Sequence, residues 1–248
     1  MKHSVLLLLG VFLFSAFSLA QVADQIVKKP LLRYEQSSGI NFNSDGWGFG
    51  YRYGKSKTFT NKKTWDFSIS FVRDSKQSRY YSPYDNSAKS FFYGKVMNFY
   101  SLQALRGRQK IITEKPYWGG VELRYFYFGG LNLGLGKPIY LYVYDVNDGN
   151  RVVLEKYDAR KYVKEDIWGR GPFTYGLNEL KFYPGISVKF GLNAEFGPYQ
   201  ERTKSLEAGI VLDGYLIPVQ IMGFDEPKYG MLRIYVAYRF GKRFNSIN

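Results

Sequence analysis

The sequence predicts an all-β protein, a transmembrane antiparallel up-and-down β-barrel of eight strands, with ten strands as the alternative. Three observations lead there. Apolar and polar residues alternate with period two over long runs, as in strands with one apolar and one polar face. Aromatic residues form 19% of the chain, with 23 Tyr and 20 Phe. Trp47, Trp65, Trp118 and Trp168 lie mostly near proposed strand ends, where interfacial girdles sit. Beyond Ala20, no stretch reaches the roughly eighteen uninterrupted apolar residues that a membrane helix requires.

The elements follow in chain order. Lys2 and His3, the apolar run Val5–Phe17 and the small residues Ser18 and Ala20 read as a secretory signal over residues 1–20, cleaved before Gln21. Residues 21–38 read as an N-terminal periplasmic segment, and residues 39–248 as an outer-membrane barrel with long extracellular loops. Gly46–Gly54 sets Trp47, Phe49, Tyr51 and Tyr53 against Gly48, Gly50 and Arg52. Thr64–Val72 sets Trp65, Phe67, Ile69 and Phe71 against Asp66, Ser68 and Ser70. Phe92–Arg106 alternates more weakly. Gly120–Gly136 carries Leu123, Tyr125, Tyr127, Leu131 and Leu133 opposite Glu122, Arg124 and Asn132. Leu135–Pro138 reads as a tight turn into Pro138–Val146, which is apolar or aromatic on both faces. Leu180–Phe196 sets Phe182, Ile186, Val188, Phe190 and Leu192 against Lys181, Ser187, Lys189, Asn193 and Glu195. Leu206–Leu216 and Met231–Gly241 complete the eight. Gly39–Phe42 is an extra strand or the start of the first one, and this keeps ten strands open.

An eight-stranded barrel is just wide enough for its own side chains to fill. The polar faces therefore predict a lumen charge network of Arg52, Glu122, Arg124, Lys181, Lys189, Glu195, Glu207, Asp213, Arg233 and Arg239. With both termini in the periplasm, connections 55–63, 107–119, 147–179 and 217–230 become extracellular. Arg73–Ser90 is then a long periplasmic connection, against the usual short turns of that side. The turn signal Asn147-Asp148-Gly149-Asn150 before Val152–Tyr157 predicts a protruding hairpin.

Formal net charge is +14, from 35 bases and 21 acids. In an exported chain this matches lipid phosphates better than nucleic acid. Lys55, Lys57, Lys62, Lys63, Arg106, Arg108 and Lys110 are expected to contact lipopolysaccharide phosphates, other outer-membrane lipids or an acidic partner protein. Cysteine is absent and the single histidine, His3, falls in the leader. Beyond the leader the composition excludes Ser-His-Asp and Cys-His nucleophilic sites and His or Cys metal ligation. No cofactor is expected. Glu122, Glu195, Glu207 and Asp213 lie on separate strands and read as salt-bridge partners rather than an acid–base pair. The expectation is a non-enzymatic structural or accessory subunit of an outer-membrane complex. A narrow channel and a carboxylate-dependent lipid enzyme are the alternatives.

Several segments carry a family resemblance: Asn43–Lys55 (NSDGWGFGYRYGK), Tyr93-Gly94-Lys95, Lys181–Gly185 (KFYPG) and Tyr238–Asn245 (YRFGKRFN), with Gln21 after the leader. In these the chain resembles outer-membrane β-barrel proteins of Bacteroidota, a group largely without assigned function. The resemblance spans most of the chain after the leader. It implies the barrel and carries no catalytic or ligand residues. Some barrels of that phylum are subunits of larger envelope machines.

Overall fold

The computed structural model describes residues 32–58, 60–82, 88–114, 120–145, 151–196 and 201–245. The predicted leader, residues 21–31 and the turn signal at 147–150 lie outside the described residues, as does Trp118. In chain order the strands are β1 (Tyr34–Asn43), β2 (Gly46–Ser56), β3 (Asn61–Val72), β4 (Arg79–Tyr80), β5 (Phe91–Phe92), β6 (Met97–Thr113) and β7 (Glu122–Pro138). They continue with β8 (Tyr140–Asp145), β9 (Arg151–Lys156), β10 (Ile167–Arg170), β11 (Lys181–Phe196), β12 (Arg202–Val219) and β13 (Lys228–Phe244).

Eight of these close an antiparallel barrel in the order β1-β13-β12-β11-β7-β6-β3-β2. Closure comes from β1 against β13, running from Tyr34↔Phe244 to Asn43↔Tyr235. Closing the sheet leaves no row of unpaired N–H and C=O groups facing outward, which hydrocarbon would not tolerate. Alternation along each strand sorts the faces. On β13, Leu232, Ile234, Val236, Tyr238 and Phe240 are exposed, while Arg233, Tyr235, Ala237 and Arg239 are buried. On β12, Leu206, Ile210 and Leu212 point out while Glu207, Val211 and Asp213 point in. An apolar exterior around a charged interior inverts the soluble β-barrel pattern and makes this the wall of a membrane-spanning one. Aromatic side chains cluster toward both rims. Tyr34 stacks on Phe244 (5.7 Å) at one rim, and Trp47 stacks on Phe71 (4.5 Å) at the other.

The count of eight holds, but its membership changes. β1 takes in Gly39–Phe42 and begins at Tyr34, so residues 34–38 are barrel rather than the end of a periplasmic segment. Pro138–Val146 is not a wall strand. Pro138 ends β7, and residues 140–145 form β8, the middle of a separate β10-β8-β9 sheet. The physical reason lies in its two apolar faces: Leu141 and Val143 are each 1% exposed in a core of their own, where a wall strand needs one polar face for the lumen. Nor is Leu135–Pro138 a turn, because β7 runs through it.

Adding a strand before β2 and removing one after β7 exchanges the two ends of the intervening connections. One end, the terminal end, carries both strand termini (Tyr34, Phe244) and connections 57–60, 114–121 and 197–201. The other, the cap end, carries the turn at 44–45 and connections 73–96, 139–180 and 220–227. The long connection 73–96 thereby joins the other long loops. Segments 55–63 and 106–115 move to the terminal end, opposite to their expected side, and Arg106, Arg108 and Lys110 lie within β6 rather than in a loop.

The long connections build a cap. The β4–β5 hairpin and the β10-β8-β9 sheet enclose Phe91, Leu141, Val143, Tyr157, Ala159, Tyr162 and Ile167. Below it, Val72, Met97, Phe99, Tyr183, Tyr215, Val219 and Ile221 form an apolar stopper. Backbone hydrogen bonds tie cap to stopper: Val96 N–H donates to Ile221 O (3.0 Å), Ile139 N–H to Val96 O (3.0 Å) and Gly223 N–H to Gly94 O (2.7 Å). Gly94 needs its positive φ of 79°, and a Cβ there would lie 2.8 Å from the Phe224 ring. Lys95, bridged to Met222 and 5% exposed, sits near the Phe92 ring at 5.4 Å. Burial, with help from Arg73 and against Asp74, pushes its ammonium down to about 8.

Two outcomes follow. Ile210→Arg, outward at mid-wall, should destabilise the barrel by about 2–4 kcal/mol in urea titrations from lipid bilayers, as charge on the lipid face does. Between about pH 8 and the ordinary lysine range, the unfolded chain holds the Lys95 proton and the folded cap does not. Cap stability should therefore rise with pH through that window. Lys95→Met should flatten that rise in thermal melts at pH 7.5 and 9.5.

Candidate functional site

The lumen is the first candidate, and its charges fall into three groups. At the terminal end, Glu35 of β1 accepts from Lys62 and from Arg243 (2.8 Å). Arg124 reaches Glu122 at 2.5 Å and Glu195 at 2.8 Å, and Arg243 also pairs with Glu195. In the centre, Arg52 donates to Asp66 (Nε, 2.9 Å) and to Glu207 (Nη1, 2.7 Å). Arg239 donates to Glu207 (3.0 Å), Lys189 stands 3.6 Å from Asp66, and the Tyr235 hydroxyl donates to Glu207 (2.6 Å). Toward the cap, Arg233 pairs with Asp213, and Gln103 donates to Asp213 (2.7 Å) and to Ser187 (3.1 Å). Ser101, Asn132 and Tyr215 chain together at 3.0 Å per link.

Each position follows from parity. β2 puts Arg52 inward because Tyr51 and Tyr53 face out, and β3 puts Asp66 inward between Trp65 and Phe67. Arg52 and Asp66 are direct cross-strand partners. Arg52 also lies between β7 rings, 5.1 Å from Phe126 and 4.8 Å from Phe128, a cation–π contact on its remaining flank.

Of the ten predicted network residues, nine meet inside. Lys181 does not: it has the right parity but is exposed on the cap-end rim. Glu35, Lys62, Asp66, Arg243, Tyr235 and Phe126 complete the network and were missed. Asp66 was readable from its place on the polar face of β3. Glu35 was hidden because its strand was taken for a periplasmic segment. Lys62, expected at a lipid surface, is buried against Glu35.

The remaining basic residues form a second candidate. Lys55, Lys63, Arg106, Arg108 and Lys110 point outward on β2, β3 and β6 at the terminal end, with Lys57 just beyond. Lys55 lies directly opposite Lys63, and Lys63 directly opposite Arg108. Arg106 packs its guanidinium 5.0 Å from the Trp65 ring. The adjoining outer wall is apolar, carrying Phe67, Leu102, Ala104 and Leu131.

What the lumen can do chemically is limited by this pairing. Glu122 and Asp213 belong to different groups, each held by an arginine, so no two free carboxylates face one another. Among the described residues, no cluster of three or more His, Cys, Asp or Glu could hold a metal ion.

No family model matches the chain, and no curated protein does. Among solved structures it is similar to Neisserial surface protein A, at 11% identity over 85% of this chain and 96% of that one, with a TM-score of 0.39. It is also similar to Ail, the attachment invasion locus protein of Yersinia pestis, at 9% identity over 86% of this chain and 100% of that one, with a TM-score of 0.40. A further Ail structure, in complex with the heparin analogue sucrose octasulfate, aligns at 8% identity and a TM-score of 0.40, covering 86% and 100%. These likenesses are of fold.

Glu207→Met would strand Arg52 and Arg239 with Asp66 alone. Removing one partner of a buried pair costs about 3–5 kcal/mol, so the urea midpoint in micelles should fall sharply. Adding Arg239→Met should recover a measurable part of that loss. A loss in the double variant equal to the sum of the two single-variant losses would show that the two side chains are not coupled.

Proposed function

We propose that this chain is an integral outer-membrane barrel without enzymatic activity, which serves as a structural or accessory subunit and displays its cap outside the cell. The observation that supports this most directly is the sealed lumen. Interlocked ion pairs fill the barrel from Glu35 to Asp213, an apolar stopper closes one mouth and the cap covers the stopper. A conducting pore needs a continuous water path, and charges this closely paired leave none. The orientation rests on loop length. Short turns belong to the periplasmic side and long loops to the outside, so the terminal end is periplasmic and the cap extracellular.

The cap supplies the surface for a partner. Phe173, Tyr175 and Leu177 are exposed in the segment that follows β10. This segment is not loose: Lys137 of β7 donates to the Phe173 carbonyl and lies 4.0 Å from its ring, and Tyr140 packs against Tyr175 at 6.0 Å. An ordered apolar surface beside the wall suits a second membrane protein better than a soluble ligand.

Planar-bilayer recording of the purified barrel should give no unitary conductance, and stable steps would overturn the reading. Extraction in mild detergent should give a particle larger than the monomer, with Phe173→Ser/Leu177→Ser shifting it toward monomer size. A native protein that is monomeric throughout would remove the subunit role.

A further inference from the structure

The outward bases at the terminal end have no counterpart in the lumen logic. Inside the barrel every arginine meets a carboxylate. On the outer wall, Lys55, Lys57, Lys63, Arg106, Arg108 and Lys110 have no carboxylate within ion-pair distance among the described residues. Worse, the register sets like charges side by side: Lys55 opposite Lys63, Lys63 opposite Arg108. Directly opposed like charges destabilise a strand pair. Lys63 is also within electrostatic reach of Lys57 and Arg106. Repulsion concentrated across three adjacent strands is relieved when something negative occupies the wall.

Position identifies the occupant. The patch is level with the aromatic rim: Trp65 beside Arg106, Tyr127 opposite Arg108 and Tyr125 opposite Lys110. Aromatic rims mark the depth of lipid headgroups. Opposite Arg106, β7 carries Gly129, where an added Cβ would meet only one atom, at 4.0 Å. The missing side chain leaves a notch beside the guanidinium. Toward the barrel's middle the outer wall turns apolar at Phe67, Leu102, Ala104 and Leu131. A charged notch above an apolar wall has the polarity of a phospholipid, with phosphate at the bases and acyl chains below.

We propose that this three-strand patch is a binding site for the phosphate headgroup of an anionic phospholipid in the leaflet at the terminal end. Arg106, Arg108 and Lys63, with Lys55 beyond, act by concentrating positive charge at the depth of the headgroup phosphate. The site requires only that the wall face lipid. It does not depend on the subunit role or on which leaflet is periplasmic, so its failure would leave that reading intact.

Native mass spectrometry of the folded barrel tests the site directly, with phosphatidylglycerol or phosphatidylcholine added to the micelles. The wild type should retain phosphatidylglycerol through gas-phase release and lose phosphatidylcholine. Lys63→Gln/Arg106→Gln/Arg108→Gln should weaken phosphatidylglycerol retention on the order of tenfold or more, given the usual contribution of each base near an anionic surface. Arg106→Lys/Arg108→Lys should keep most of it, and this pair decides the matter if the triple variant fails to fold. Lys89→Gln/Lys181→Gln removes exposed bases at the cap end and should leave retention unchanged. Equal retention of both lipids, loss of retention in the charge-preserving pair, or equal loss in the Lys89/Lys181 variant would overturn the site. Displacement of phosphatidylglycerol by a polyglutamate peptide at equal charge would also overturn it, in favour of an acidic polypeptide partner.

Discussion

Glu207 is the point on which the barrel's interior turns. One buried carboxylate receives Arg52, Arg239 and the Tyr235 hydroxyl, with Asn193 at 3.4 Å, and so joins β2, β11, β12 and β13 across the lumen. A barrel of eight strands has no room to hydrate such groups, so each base inside must find its anion within the wall. The described lumen meets that demand closely. Arg52, Lys62, Arg124, Lys189, Arg233, Arg239 and Arg243 face Glu35, Asp66, Glu122, Glu195, Glu207 and Asp213, with Asp45 3.8 Å from Arg233 at the cap-end mouth. Removing any one member leaves buried charge short of a partner, which ties strand pairing to side-chain identity far more tightly than an apolar core would.

This constraint was legible in the sequence where alternation was clean. Arg233 and Arg239 alternate with Leu232, Ile234, Val236, Tyr238 and Phe240, so their inward placement needs no tertiary information. It was illegible where both faces read alike. Tyr125-Phe126-Tyr127-Phe128 is aromatic throughout; parity with Arg124 puts Phe126 and Phe128 on the polar face, and only the structure shows that they pack against Arg52. Pro138–Val146 failed for the same reason with the opposite result: two apolar faces meant a small core outside the barrel. β1 was obscured because Gln36 and Ser38 interrupt its outward face between Tyr34 and Ile40, so apolar periodicity appears only in its second half.

One misplaced strand had a large consequence. In an up-and-down barrel, every connection alternates ends, so a single strand added before β2 inverts the assignment of each loop up to the next error. The basic segments around Lys55 and Arg106 were therefore expected to lie on the side of the long loops. They lie on the side of the short turns, and Lys62, by parity with Thr64 and Asp66, leaves that surface altogether. The overlong connection 73–90 was the visible symptom of the error, since its length fits the cap end and not the other.

The chain thus handles positive charge in three ways, and the differences follow from what surrounds each base. In the lumen, where neither lipid nor bulk water can help, carboxylates are built in beside every arginine. On the wall near the cap, Lys137 falls by alternation on the outward side, yet it is 3% exposed: the Phe173 carbonyl accepts its hydrogen bond and the Phe173 ring covers its charge. There the protein shields a cation from hydrocarbon with its own loop. At the terminal end neither device is used, and the bases stand uncovered at the depth of the aromatic rim. The phosphate site proposed for β2, β3 and β6 extends the same rule, with the interface in place of the protein as the source of the anion.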